Sequence, residues 1–383
     1  MKKILFITNF ADKNECDNKI TSFSRASYEA AKKLGMEFHI NTNKKVLTPD
    51  DDNIDVHYHY AGIYRNPFSK DVIKAYQELC EICRENQFDV IHCNTPIGGV
   101  LGRIVGKKYK VPKVIYQAHG FHFYKGAPLK NWLVYYPIER WLAHYTNAII
   151  TINNEDYERA QGFKLRKGGK VYYVPGVGID LSQYELPENT RDIKRTELVL
   201  KDSDVALISM GDLIDRKNYP VAIEAVAKAN NPNLQYFICG KGPEEEKLKK
   251  MAEDLGVKEQ VHFLGFRTDI KELLRAADIF LFTSKQEGLA RSLMEAMASG
   301  LPCVASKIRG NTDLLDEGKG GYLREVTDVT GFSGCLKILV DNELVRKQMS
   351  EYNLRVINSY ALDAVAREIF EVYSEELKAG EMK

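Results

Sequence analysis

Ile279-Phe280-Leu281-Phe282-Thr283-Ser284-Lys285-Gln286-Glu287-Gly288-Leu289-Ala290-Arg291-Ser292-Leu293-Met294-Glu295 passes from an unbroken apolar run through a short polar loop into a pattern with helical spacing. An apolar run without alternation reads as a strand covered on both faces, the kind that parallel sheets contain. The loop then lies at the strand's carboxyl end, where open parallel sheets place their ligands. Gly288 lets backbone approach a ligand closely, and the first turn of the next helix carries unpaired N–H groups that suit an anion, so phosphate is the expected guest. Glu287 precedes that helix and has no capping task there. Glu295 keeps two readings: a ligand-facing carboxylate, or, with Ser292, half of a Ser-x-x-Glu capping box.

The same alternation recurs along almost the whole chain and predicts an α/β fold of two Rossmann-like domains, each with a parallel sheet, facing across a cleft. In the first half the expected strands are Ile4–Thr8, Asp89–Cys93, Val114–Ala118, Ala148–Ile152 and Val171–Val174, with helices over Ser22–Leu34 and Val72–Glu85. Asp180–Asp204 is charged, carries Pro187 and lacks apolar periodicity, and reads as a linker. The pattern restarts with Val205–Met210, Gln235–Cys239, Val261–Leu264, Asp278–Phe282 and Cys303–Ala305. Closing helices are expected over Arg346–Ser359 and Leu362–Leu377, the last amphipathic through Val365, Ile369, Phe370 and Tyr373 and returning to the first domain. The expected division is 1–185, 186–360 and a returning helix at 361–383.

A chain of 383 residues suits two domains better than one core. A net charge of +1 gives no global attraction to nucleic acid. Seven cysteines, several inside apolar runs, point to free buried thiols and a reducing, cytoplasmic setting. Cys80-x-x-Cys83 lies in a helical pattern without a second ligand pair, so helix packing is its expected task. The start, Met1-Lys2-Lys3 before Ile4–Ile7, reads as a first strand and not a signal peptide. No run approaches the roughly 18 apolar residues that span a bilayer.

Four further stretches carry a resemblance: Thr95-Pro96-Ile97-Gly98-Gly99; His119 to Pro128; Tyr173 to Asp180; and Ile308-Arg309-Gly310-Asn311. In this order and spacing, with the Glu-x7-Glu segment and the double Rossmann pattern, the chain resembles the retaining GT-B glycosyltransferases of family 4, those of capsule and exopolysaccharide assembly. The resemblance implies a hexosyltransferase that needs no metal or other cofactor. It would move a hexose or N-acetylhexosamine from a nucleotide sugar, UDP the expected carrier, to a saccharide or a polyprenyl-pyrophosphate-linked saccharide. Glu287 would face the donor sugar and steady positive charge developing on it. Glu295 would accept from the ribose hydroxyls, while Gly288, Leu289 and Ala290 would offer backbone N–H groups to the sugar and β-phosphate. Arg216 and Lys217 would supply cations to the leaving diphosphate, and Phe266 would lie at the nucleobase. His119, at the end of an apolar strand before Gly120, would face the donor sugar. The chain departs from the family at Asp212, where relatives carry arginine and where Arg216 is the available substitute. It departs again in Asn9–Thr21, which lacks the family's glycine pair but holds Asp12, Asp17 and Asn18.

Between 107 and 145 the chain holds Lys107, Lys108, Lys110, Lys113, Lys125, Lys130 and Arg140 against Glu139, with Trp132, Tyr135, Tyr136, Trp141 and Tyr145 interleaved. Two readings stand: a peripheral contact with the anionic inner face of a membrane, or core aromatics on a helix interrupted at Pro137. The acidic clusters Asp50-Asp51-Asp52 and Asp202-Ser203-Asp204 read as solvated turns. The remaining alternatives are a nucleotide-sugar epimerase of similar fold and a non-catalytic partner in carbohydrate assembly. A nicotinamide dehydrogenase is disfavoured, because no Gly-x-Gly-x-x-Gly follows the first strand.

Overall fold

The computed structural model describes residues 1–10, 20–21, 23–44, 55–64, 66 and 69–381. Cys16, Asp12, Asp17, Asn18 and Asp50 to Asp52 lie outside them. The chain forms two compact units, Met1–Gly178 with Leu362–Lys383, and Ile179–Ala361.

The first unit holds β1 (Lys3–Ile7), β2 (Glu37–Thr42), β3 (His57–Tyr60), β4 (Val90–Asn94), β5 (Lys113–Ala118), β6 (Ala148–Thr151) and β7 (Lys170–Tyr173). They form one sheet in the order β3-β2-β1-β4-β5-β6-β7, every pair parallel. The second unit holds β8 (Val205–Met210), β9 (Leu234–Cys239), β10 (Val261–Gly265), β11 (Ile279–Phe282), β12 (Cys303–Ser306) and β13 (Gly321–Arg324). Their order is β10-β9-β8-β11-β12-β13, again parallel. Both sheets reverse their winding once, between β1 and β4 and between β8 and β11, and at such a switch the connecting loops part and leave room for a ligand.

The unbroken apolar runs have their physical reason in β8 and β11. Val205, Leu207, Ile279 and Leu281 enter one apolar cluster, whereas the alternating Ala206, Ile208, Met210, Phe280 and Phe282 enter another on the opposite face. Both faces are therefore covered, and full burial of each large side chain contributes about 1.5–3 kcal/mol.

Strands β2, β3 and β13 add to those expected from the sequence. Residues 180–204 are not a bare linker: Asp180 accepts from the Ser182 N–H at the start of a 3-10 turn, and Thr190–Glu197 is a helix. That helix is fastened within the second unit through Arg191 and Arg195 to Asp278 and through Lys194 to Asp269. Pro137 sits inside a continuous helix, Leu129–Ala143. The first division falls at Gly178, where φ is +86° and a Cβ would come within 2.8 Å of Leu362 Cα; Ile179, next along, donates to Tyr360 O at 3.0 Å.

The closing helix, Leu362–Glu381, belongs to the first unit as the apolar stripe implies. Val365, Ile369 and Tyr373 are buried against Ile4, Phe6 and Ala30, and the Tyr373 hydroxyl is hydrogen-bonded to His92 Nδ1 at 2.6 Å. Cys80 and Cys83 are buried in the core of this unit, and burial pushes the Cys83 thiol up to about 12, so it stays protonated. No helix among the described residues is long and apolar enough to cross a membrane.

Candidate active site

The loop after β8 and the loop after β11 lie side by side at the switch point of the second sheet. Gly211 follows β8 with φ +141°, and a Cβ there would stand 3.0 Å from Lys217 Cε, so glycine makes room for the lysine stem. The chain then turns through Asp215–Lys217 and adopts a left-handed conformation at Asn218 (φ 58°). Asn218 is buried, and its Nδ2 donates to Thr283 O at 3.1 Å and Val326 O at 2.8 Å; Thr283 Oγ1 donates back to Asn218 O at 2.9 Å. The two loops are thereby fixed to each other, and neither Asn218 nor Thr283 was singled out in the sequence.

Three donors converge on one carboxylate oxygen. Arg216 Nη1 (2.7 Å), Lys217 Nζ (2.9 Å) and Ser284 Oγ (2.8 Å) all donate to Glu287 Oε1. Among the described residues no protein donor reaches Glu287 Oε2. Arg216 Nη1 also donates to Gln286 O at 2.8 Å, and Lys217 Nζ lies 4.8 Å from the centre of the Phe282 ring. Arg216 and Lys217 thus hold Glu287 directly, which leaves each cation further N–H donors. Ser284 is an added member that no pattern in the sequence marked.

Beyond Glu287 the backbone N–H groups of Gly288, Leu289 and Ala290 donate to no acceptor among the described residues, and the helix Arg291–Ala298 begins. Arg309 Nε donates to Glu287 O at 3.2 Å, and Gly310 (φ +80°) passes against the carbonyl of Gly288, where a Cβ would clash. The capping-box reading of Glu295 is overturned. Ala290, not Ser292, is the N-cap, and no side chain caps this helix. Glu295 lies beyond the first turn and accepts from Arg291 Nε at 2.9 Å. Burial, then the charge of Glu295, raises the Tyr184 phenol well above its ordinary range. Phe266, after Gly265 at the end of β10, is 72% exposed, so its ring is not a packing residue.

His119 belongs to the first unit, one residue past β5. Its Nε2 lies 2.9 Å from Oδ1 of Asn94, the last residue of β4, and its ring meets Phe23 edge-on at 5.4 Å. Burial pulls its pKa down to about 4, so the ring is neutral near pH 7. With Asn94 Oδ1 as acceptor the proton sits on Nε2, leaving Nδ1 as an acceptor. His122 does not join it; its ring stacks on Tyr135 at 4.6 Å.

The aromatic and basic stretch divides. Trp132 packs against Phe123 and Tyr136, with Arg159 over its ring, and Lys113 is paired with Glu376. Glu139 is buried and receives Arg103 Nη1 at 2.7 Å. These residues leave the membrane reading. Leu129, Leu133, Val134, Ile138 and Trp141 remain on one exposed apolar stripe of the helix Leu129–Ala143.

The chain is similar to known glycosyltransferases over nearly its whole length. The profile of the "Glycosyl transferases group 1" family matches residues 190–356, and that of "Glycosyl transferase 4-like" matches residues 18–153. The protein named "Putative glycosyltransferase EpsD" of Bacillus subtilis (strain 168) is 32% identical over 379 residues, covering 97% of this chain and 96% of its own. The UDP-Gal:alpha-D-GlcNAc-diphosphoundecaprenol alpha-1,3-galactosyltransferase of Escherichia coli is 29% identical, covering 79% of each chain. Among solved structures, HepE of Anabaena in complex with UDP-glucose superimposes with a TM-score of 0.75 at 19% identity, over 98% of this chain and all of that one. Sucrose-phosphate synthase of Thermosynechococcus elongatus does so with 0.80 at 16%, over 99% and 100%. The chain therefore belongs to the family 4 glycosyltransferases with the GT-B fold.

Proposed function

We propose that the enzyme transfers a hexose or N-acetylhexosamine, with retention of configuration and without a metal ion, from a UDP-sugar to a lipid-linked saccharide in polysaccharide assembly. The observation that carries this reading is the partition at Glu287. Oε1 is held by two cations and a hydroxyl, whereas Oε2, with no donor among the described residues, can accept from a sugar hydroxyl and bring negative charge near a carbon that becomes oxocarbenium-like.

The bond from the anomeric carbon to the diphosphate breaks with charge accumulating on the phosphate oxygens. The remaining N–H donors of Arg216 and Lys217, with the N–H groups of Gly288, Leu289 and Ala290 at the helix start, are the donors assigned to that charge. Glu295 is assigned to the ribose hydroxyls and Phe266 to the base. From the first unit, His119 is assigned to catalysis as a neutral ring. The carrier and acceptor are supported by the names of the E. coli relative, which uses a UDP-galactose donor and a diphosphoundecaprenol-linked acceptor, and of the HepE complex with UDP-glucose.

The exposed stripe Leu129, Leu133, Val134, Ile138 and Trp141, with Lys130 and Arg140 on the same helix, is the surface we assign to peripheral contact with an anionic membrane. It would bring the enzyme to such an acceptor. The test is to incubate the enzyme with a panel of UDP-sugars, with and without undecaprenyl-diphosphate saccharides, and follow UDP release and product anomer by NMR. Acceptor-dependent UDP release with an α-linked product supports the reading. Conversion of the donor to its epimer without acceptor overturns it.

A further inference from the structure

We propose that Glu37, His39 and His57 form a binding site for a divalent transition-metal ion, with zinc the cation their donors suit, on the edge of the first unit's sheet. Alternate residues of a strand share a face, so Glu37 and His39 on β2 lie beside His57 and His59 on β3, with His39 opposite His57 in the register. Glu37 Oε1 is 2.9 Å from His39 Nε2 and 3.4 Å from His57 Nε2. One ligand atom from each of the three residues lies within 4.8 Å of the others. Tetrahedral zinc with bonds of about 2.0–2.1 Å holds its ligand atoms roughly 3.3 Å apart; the His39 and His57 rings stack at 4.6 Å with planes 21° apart, so the imidazoles must turn to aim both lone pairs at one ion.

The His39 ring is buried. His39 Nδ1 lies 2.7 Å from His59 Nε2. His39 Nε2 donates to the Glu37 carboxylate at 2.9 Å; an ion would take the place of that proton, with Nδ1 then carrying the ring's proton and donating to His59, the outer hydrogen bond that orients a metal-binding histidine. Phe88 walls the pair, its ring meeting His39 at 5.1 Å and His59 at 6.4 Å. His57 is half exposed, which gives an ion a path in and leaves a fourth position for water.

Lys3 opposes the ion, because its Nζ stands 3.2 Å from the same Glu37 Oε1. Among the described residues β3 is the edge strand and pairs only with β2, so a cation held between Glu37, His39 and His57 would fasten the edge of the sheet. None of Glu37, His39 and His57 is assigned to sugar transfer.

The test titrates ZnCl2 into the full chain, freed of any affinity tag and stripped with chelator, by calorimetry and thermal unfolding. One equivalent should bind saturably and raise Tm. His57→Ala and Glu37→Gln should each weaken binding at least tenfold, while Lys3→Met should strengthen it severalfold. Cobalt(II) added to the unsubstituted chain should give the intense visible absorption of a four-coordinate site, a readout independent of how the variants fold. Absent saturable binding, equal affinity in His57→Ala, weaker binding in Lys3→Met, or a weak octahedral cobalt spectrum would each overturn the proposal.

Discussion

Glu287→Gln isolates the charge of the carboxylate from its role as an anchor. The glutamine oxygen can still accept from Arg216, Lys217 and Ser284, which occupy Oε1 at 2.7–2.9 Å, so the loops should keep their positions. The amide nitrogen replaces Oε2, which removes a negative charge and one acceptor from the ligand side. At about 5 Å and an effective dielectric near 20, a full charge steadies an oxocarbenium-like centre by roughly 3 kcal/mol. Arg216 and Lys217 offset part of that charge, which lowers the expected loss to about 1.4–3 kcal/mol, or roughly 10- to 150-fold in kcat. Initial rates of UDP release at saturating donor measure it, with Tm as the control for folding. By contrast, Glu287→Ala strips the acceptor from three donors and should also destabilise the second unit by about 1–3 kcal/mol. A Glu287→Gln enzyme with kcat within threefold of the parent would refute the assignment of Glu287 to the transition state.

Lys217→Ala should lower kcat/KM at least about tenfold, near 1.4 kcal/mol, measured by the same UDP release. Turnover should be unchanged by EDTA, because Arg216 and Lys217 are assigned the task of a metal; a rate that collapses and returns with magnesium or manganese would contradict this. His92 is fully buried, and burial, with the charge of His119 second, lowers its pKa to about 3. Below about pH 6.5 the unfolded chain binds a proton that folded His92 refuses, so stability falls by up to about 1.4 kcal/mol per pH unit until the pH reaches its folded value. His92→Gln should therefore show a shallower decline of Tm between pH 7 and 5 than the parent, and an equal slope would count against it. Leu133→Asp with Trp141→Asp should abolish sedimentation with phosphatidylglycerol vesicles at low salt while leaving Tm within a few degrees; unchanged sedimentation would remove the stripe as the contact surface.

The elements most legible in the sequence are those covered on both faces. β8 and β11 announce themselves because every residue but Ser209 is apolar. β2 does not, since its buried His39, Asn41 and Thr42 are polar; Asn41 is satisfied by Thr8 and Ala61, partners distant in sequence. The charges of the helix Thr190–Glu197 looked like those of a linker because their partners, Asp269 and Asp278, come some 75 to 87 residues later. Glu287, Arg216 and Lys217 could be named from their places after strands. Their convergence on a single oxygen, and the part of Ser284, could not, because those depend on Asn218 and Thr283 joining two loops. The failed capping box has a local cause: Ala290 takes an extended conformation (φ −77°, ψ 108°) and starts the helix two residues before Ser292 would as its cap.

The most direct test of the central claim is a crystal structure of the enzyme with UDP bound. The account expects the diphosphate within about 3 Å of N–H donors from Lys217 or Arg216 and of the backbone at 288–290, with the ribose at Glu295. A diphosphate bound at the first unit's sheet, or anywhere remote from Glu287 and Glu295, would contradict it.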